Sequence, residues 1–228
     1  MRLLRRSVAD RQRRALRDAA PGPLADLLRA GAPDPDTPLD RLPLLALDLE
    51  TTGLDPARDR VLSAGWVPVD GRRVDLAGAR RWVVSDAGEV GQSATVHRLT
   101  DDELTGGVPL EDVVADLLAA LSGRVLLAHF ARVETEFLSA ACRRLWGAGL
   151  ECAVVDTLEL ERRAVSGAWG PAPEAGALRL WAARDRYGLP RYRAHEALTD
   201  ALACAELYLA QTAREPGRRP TTLADVAS

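Results

Sequence analysis

Apolar positions first follow a strand-like pattern, over 44 to 50 (LLALDLE), 60 to 69 (RVLSAGWVPV) and 79 to 85 (ARRWVVS), with turn signals at Gly53 to Asp59 and Asp70-Gly71. Three short strands in succession predict an antiparallel meander. The period then changes. Leu110, Val113, Val114, Leu117, Leu118 and Leu121 recur at helical spacing within 109 to 122, and RVLLAH at 124 to 129 reads as a short buried strand. A helix over about 131 to 146, a strand at 152 to 156 and a long helix over roughly 196 to 212 complete the pattern. The order βββαβαβα predicts an α/β domain: a five-stranded mixed sheet flanked by helices.

The flanks look different. Residues 1 to 30 read as one or two Arg-rich helices broken at Pro21-Gly22-Pro23, with Leu24, Leu27 and Leu28 on one stripe. Residues 31 to 43, GAPDPDTPLDRLP, have the composition of a linker, since proline does not continue a helix. The expected organisation is therefore a helical arm and linker (1–43), a main domain (44–212) and a C-terminal tail (213–228). A Gly-, Pro- and Ala-rich stretch at 166 to 177 is expected to form a loop bordering the site.

Composition narrows the class without naming it. The chain has 228 residues, 47% of them hydrophobic, enough for one well-buried domain. Its net charge of −3 gives no global field toward nucleic acid, so phosphate would have to be met locally. All 30 basic residues are Arg, whose planar guanidinium suits phosphate oxygens. Cys142, Cys152 and Cys204 lack the spacing of a zinc site or disulfide framework. No apolar run approaches the roughly 18 residues of a membrane span, and the N-terminus lacks a signal-peptide core. A soluble, cytoplasmic protein with no membrane partner is expected.

Acidic residues in apolar company hold the candidate chemistry. Asp48 and Glu50 lie two apart near the end of the first strand, so both side chains share the face of Leu44 and Ala46. Two like charges on such a face repel unless a cation neutralises them. Glu134 shares a helical stripe with Phe130, Phe137, Leu138 and Ala141, whereas Glu136 falls on another side. Asp200 is walled by Ala197, Ala203, Cys204 and Leu207, and His195 precedes it where it could swing over the same place. Four carboxylates without a thiolate cluster suit hard ions such as Mg²⁺ or Mn²⁺. Two such ions stabilise the attacking and leaving oxygens of an in-line phosphodiester displacement. Histidine, which ordinarily titrates near pH ~6.5, can accept the proton of an attacking water.

In this order the residues resemble the DnaQ-like 3′-to-5′ exonucleases, the DEDD group with a histidine in the last motif, which includes polymerase III epsilon-type proteins. The likeness spans about residues 44 to 212. The first motif stands as Leu47-Asp48-Leu49-Glu50-Thr51-Thr52-Gly53, and the last as His195-Glu196-Ala197-Leu198-Thr199-Asp200, followed by Glu206. Val96 to Thr100 takes the place of the family's HGIT-like segment, and Val155-Asp156-Thr157-Leu158 that of its DT-containing strand end. The middle motif departs from the family's HN and FD, with His129-Phe130 and then Val133-Glu134.

The resemblance implies an RNase H-like fold and cleavage at 3′ ends of single-stranded DNA or RNA. It implies two Mg²⁺ or Mn²⁺ ions on Asp48, Glu50, Glu134 and Asp200, with His195 as general base. It further implies a terminal nucleotide held by Thr51, Thr52, Gly53 and Leu54 and by the segment with His97, Arg98 and Thr100. Phe137 would offer a base an apolar contact, Arg98 would contact a phosphate, and Asp156 would be structural. A polymerase or another replication or repair protein is the candidate protein partner. An inactive nucleic-acid- or polymerase-binding module and an endonuclease on the same fold are the rival readings.

Overall fold

The computed structural model describes residues 6–85, 106–166, 173–174, 176–193, 195–213 and 220–228. In chain order its elements begin with helices α1 (Val8–Asp18) and α2 (Pro23–Ala30), then strands β1 (Pro43–Thr51), β2 (Val61–Asp70), β3 (Arg73–Val74) and β4 (Arg80–Val83). Next come α3 (Leu110–Leu121), β5 (Val125–Ala128), α4 (Arg132–Trp146) and β6 (Val154–Asp156). The helices α5 (Thr157–Ser166), α6 (Leu180–Arg186), α7 (Ala197–Gln211) and α8 (Leu223–Val226) follow.

The sheet order is β3-β2-β1-β5-β6, with β4 also paired to β2. Strand β1 runs antiparallel to β2 and parallel to β5, which in turn runs parallel to β6. The mixed α/β sheet therefore has the expected strand sequence plus one two-residue strand, β3, completed by the Asp70-Gly71 turn.

Both faces of β1 are covered, and alternation sorts its residues between them. Leu45, Leu47 and Leu49 join a cluster with Leu24, Leu27 and Leu28 of α2, Leu117 and Leu118 of α3, and Phe137 and Leu138 of α4. Leu44 and Ala46 join the opposite cluster, with Val67 and Val69 of β2 and Cys204, Ala205 and Tyr208 of α7. The next residues on that second face are Asp48 and Glu50. Apolar packing thus gives way to carboxylates at the C-terminal end of the central strand.

The flanking segments pack on this body. Helix α1 starts at Ser7, whose side chain accepts from the Asp10 amide, and Gln12 donates to the Glu151 carbonyl at 3.0 Å. Helix α2 buries the leucine stripe, with Leu24 fully enclosed. At the other end a capping box of Thr222 and Asp225 starts α8, which buries Leu223 and Val226. The Ser228 amide then donates to the Val154 carbonyl at 3.0 Å. Among the described residues no helix is long and apolar enough to cross a membrane.

Candidate active site

Asp48 and Glu50 project from β1 toward α7, and a register shift between Glu50 and Thr51 ends the regular pairing with β2. Opposite Asp48 in that register stands Gly65. A Cβ at Gly65 would lie 2.1 Å from the Leu198 backbone nitrogen and 2.3 Å from the Ala197 carbonyl carbon. The first turn of α7 therefore rests directly on the β2 backbone, and only glycine permits that approach. This contact brings Asp200 over the two β1 carboxylates.

Asp200 is itself held from upstream. Its Oδ2 accepts the backbone N–H of His195 at 2.9 Å. His195 has a left-handed backbone (φ 67°) and an exposed side chain just before the Glu196 cap of α7. Glu196 accepts from the Thr199 amide at 2.8 Å and pairs with Arg81 of β4 at 2.9 Å. Glu50, His195 and Asp200 each present a ligand atom within 4.8 Å of the others.

Glu134 arrives from the other layer. It lies in the first turn of α4 and is 3% exposed, as its apolar stripe requires, whereas Glu136 stays at the surface. The approach to α4 is fixed by Asp156 at the end of β6. Asp156 Oδ1 accepts the amides of Phe130 and Leu158, both at 2.9 Å, and Oδ2 accepts that of Ala131 at 3.0 Å. With its oxygens so engaged, Asp156 anchors β6, α5 and the turn into α4. His129 is also tied down. Its Nε2 faces the Leu178 carbonyl at 2.9 Å, which can only accept, and its Nδ1 lies 2.9 Å from the Thr157 hydroxyl, which also reaches the Ala128 carbonyl at 3.2 Å.

The carboxylates feel one another strongly. Burial, then Glu134, Glu50, Asp200 and Glu196 in turn, hold the Asp48 carboxyl well above the usual carboxylate range. Burial, then Asp200, pushes Glu50 to about 7. Glu134 is raised chiefly by burial and then by Asp156 and Glu50, to about 8, although backbone hydrogen bonds, including one at Leu49, oppose the rise. Asp200 is raised by burial, partly offset by His195. Such mutual repulsion is what a bound cation relieves.

The residues present fit a hard divalent ion. Glu134 Oε2 and Asp200 Oδ1 are buried without a hydrogen-bond partner. Orphaned buried carboxylate oxygens are costly in a folded protein, and here they belong to an oxygen-rich donor set. The three cysteines are free and buried, with Cys142 and Cys152 pushed up to about 12 by burial and Cys204 raised further, so none is a poised thiolate.

The residues expected to hold substrate are placed unevenly. Thr51 and Thr52 are engaged locally, through Thr51 Oγ1 to the Gly53 carbonyl at 2.6 Å and Thr52 Oγ1 to Asp59 at 3.1 Å. A Cβ on Gly53 would strike the Asp59 carboxylate, and the loop so tightened leaves Leu54 65% exposed. Phe137 packs in the core and lines a groove of about 510 Å³, with Arg60 and Arg144 also in its lining. Phe130, read as part of the buried stripe with Glu134, instead precedes the helix and is 40% exposed. His97, Arg98 and Thr100 lie outside the described residues. Two contributors escaped sequence reasoning. Gly65 had a signal only in being a glycine within a strand, and Glu196 in its capping relation to Thr199.

The family model described as Exonuclease, of the RNase T type, matches residues 45–208, and the chain belongs to that family. The DNA polymerase III epsilon subunit of Treponema pallidum is 31% identical over 163 residues, covering 72% of this chain and 73% of that protein. A PolC-type DNA polymerase III from Thermotoga petrophila is 27% identical over 176 residues, 76% of this chain but only 12% of the relative's length. Among solved structures, E. coli exonuclease I in complex with a dA16 oligonucleotide superposes with a TM-score of 0.63 at 18% identity, covering 77% of this chain and 42% of that one. The cell-death related nuclease CRN-4 gives a TM-score of 0.58 at 14% identity, covering 75% and 63%.

Proposed function

We propose that the protein removes nucleotides from 3′ ends of single-stranded DNA, with RNA as a second substrate, using two Mg²⁺ or Mn²⁺ ions. Asp48, Glu50, Glu134 and Asp200 would hold the ions, and His195 would act as general base. The observation that carries this reading is the convergence of buried, mutually repelling carboxylates, two of them with orphaned oxygens, beside an exposed histidine.

Each residue has a distinct task. The β1 pair and Glu134 approach from the two layers of the fold, so the ion site straddles the end of the central strand. Asp200 supplies one oxygen to the site while the other keeps the His195 backbone in place. His195 remains exposed and accepts the proton of the attacking water. The Thr51 to Leu54 loop, tightened by Asp59, frames the terminal nucleotide. The bound divalent ions supply charge neutralisation at the attacking and leaving oxygens.

The relatives named for polymerase III support a replication or repair protein as partner, and free buried thiols support the cytoplasm as the setting. The deciding assay is degradation of 5′-labelled single-stranded DNA and RNA with Mg²⁺, Mn²⁺ or chelator, beside Asp200→Asn. A metal-dependent ladder shortening from the 3′ end, lost in the variant, is the expected result. Intact oligonucleotide in every lane would overturn the assignment.

A further inference from the structure

Phe130 is an aromatic residue in a place that apolar burial does not explain. The chain has only two Phe, and the other, Phe137, is in the core. Phe130 is 40% exposed and adopts a left-handed backbone (φ 67°), a region that bulky side chains disfavour. Asp156 enforces this geometry by accepting both the Phe130 and Ala131 amides. The fold thus uses a buried carboxylate to hold an aromatic ring out of its core, and enforced outliers of this kind gather at functional sites.

Its position relates it to the carboxylates. Strand β5 lies parallel beside β1 and ends at Ala128, two residues before Phe130, so the chain leaves β5 for Phe130 at the same end of the sheet at which β1 carries Asp48 and Glu50. Leu49 lies between Asp48 and Glu50, and its backbone is hydrogen-bonded to Glu134, four residues after Phe130. The guanidinium carbon of Arg132 lies 5.6 Å from the Phe130 ring centroid, adding a planar cation to the same rim.

We propose that Phe130 is a stacking platform for a base of single-stranded nucleic acid at the rim of the carboxylate site, with Arg132 backing the ring and facing the adjoining phosphate. This rests on the nuclease reading above and adds where the strand is gripped. A ring stacks on any base, so the contact gives affinity with little sequence preference.

The test compares Phe130→Gly, Phe130→Asn and Phe130→Tyr with the unaltered protein on oligo-dT and on oligo-dT carrying one abasic residue at successive positions from the 3′ end. Glycine and asparagine both tolerate the left-handed backbone, so removing the ring does not strain the turn. Both should raise KM roughly 5- to 150-fold, the range for losing one base stack, with kcat affected far less, while Tyr retains the original KM. At one abasic position the difference between the Gly variant and the unaltered protein should vanish. An unchanged KM in both ring-less variants, or a defect that persists at every abasic position, overturns the platform. If nothing is cleaved, fluorescence anisotropy of the same oligonucleotides replaces kinetics. Weaker binding by Gly and Asn but not Tyr then supports the platform while the nuclease reading fails, and equal or absent binding overturns the platform.

Discussion

The backbone N–H of His195 donates to Oδ2 of Asp200 at 2.9 Å, so one carboxylate positions the segment bearing the exposed imidazole while its second oxygen stays buried without a hydrogen-bond partner. Its positioning role and its charge can be separated. In Asp200→Asn the remaining carbonyl oxygen still accepts the His195 amide, while the charge is lost. The variant is expected to keep its circular dichroism and thermal midpoint and to lose metal-dependent cleavage. His195→Ala leaves that backbone bond intact and is expected to lower kcat by roughly 10² to 10⁴, the usual loss for a general acid-base group. Single-turnover degradation of labelled oligonucleotide measures both. Cleavage by Asp200→Asn at the original rate would remove Asp200 from the ion site.

The raised carboxyls make a prediction about stability. Glu50 holds its proton to about 7 and Glu134 to about 8, against ordinary values near 4.5. Between pH 4.5 and 8 the folded chain binds more protons at these groups than the unfolded chain, so their contribution to stability declines as pH rises. Without metal, the thermal midpoint should fall from about pH 5 to about pH 8. Glu134→Gln should flatten that slope and raise the midpoint at the alkaline end. Mg²⁺ at about 100 times its Kd should add about 2.7 kcal/mol to the unaltered protein, roughly 5 to 11 °C for a chain of this size, and much less to the variant. Differential scanning fluorimetry with chelator or Mg²⁺ reads all four conditions, and a flat metal-free profile would contradict the electrostatics.

Gly65 should be intolerant of even one methyl group. A Cβ there meets α7 backbone rather than a movable side chain, so the helix must shift. Gly65→Ala is expected to cost about 1–3 kcal/mol, as overpacking does. The larger effect falls on activity, because a displacement on the order of 1 Å at reacting groups costs on the order of 10²-fold. Urea denaturation and the cleavage assay, run on the same preparation, separate the two losses. Full activity with an unmoved urea midpoint would mean that α7 does not depend on this contact.

Alternation in LLALDLE was enough to place Asp48 and Glu50 on one face, because strand period is a local property. Helical spacing likewise separated inward Glu134 from outward Glu136. What failed to show was either short or long-range. Helix α5 has few apolar positions and is started by the Asp156 carboxylate, and α6 buries Arg184, inverting the usual stripe. The contact of Gly65 with α7 joins distant parts of the chain, so no spacing rule exposes it. Phe130 was misplaced for a related reason: its period matches the α4 stripe, but Asp156 turns the backbone left-handed before the helix begins.

Arg184 explains how a helix with an inverted stripe is stable, because its buried charge is met by Glu206 of α7. The guanidinium is 1% exposed and donates to the carbonyls of Ala203 at 2.6 Å and Pro190 at 2.8 Å and to Glu206 Oε2 at 2.8 Å. The Tyr192 hydroxyl donates to the other Glu206 oxygen at 2.8 Å, and the Arg184 guanidinium carbon lies 5.5 and 4.9 Å from the ring centroids of Trp181 and Tyr192, which meet edge to face. This network fastens the segment before His195 to the helix that bears Asp200. Glu206→Ala strands a buried cation and is expected to cost about 3–5 kcal/mol, whereas Arg184→Met with Glu206→Leu replaces both charges by apolar bulk and should recover most of that loss. Because the pair also fixes the approach to His195, the double variant should regain urea resistance without regaining full cleavage. Equal recovery of stability and activity would show that the segment needs only packing there; failure to regain stability would show that the carbonyl contacts of Arg184, rather than relief of its charge, hold α6 in place.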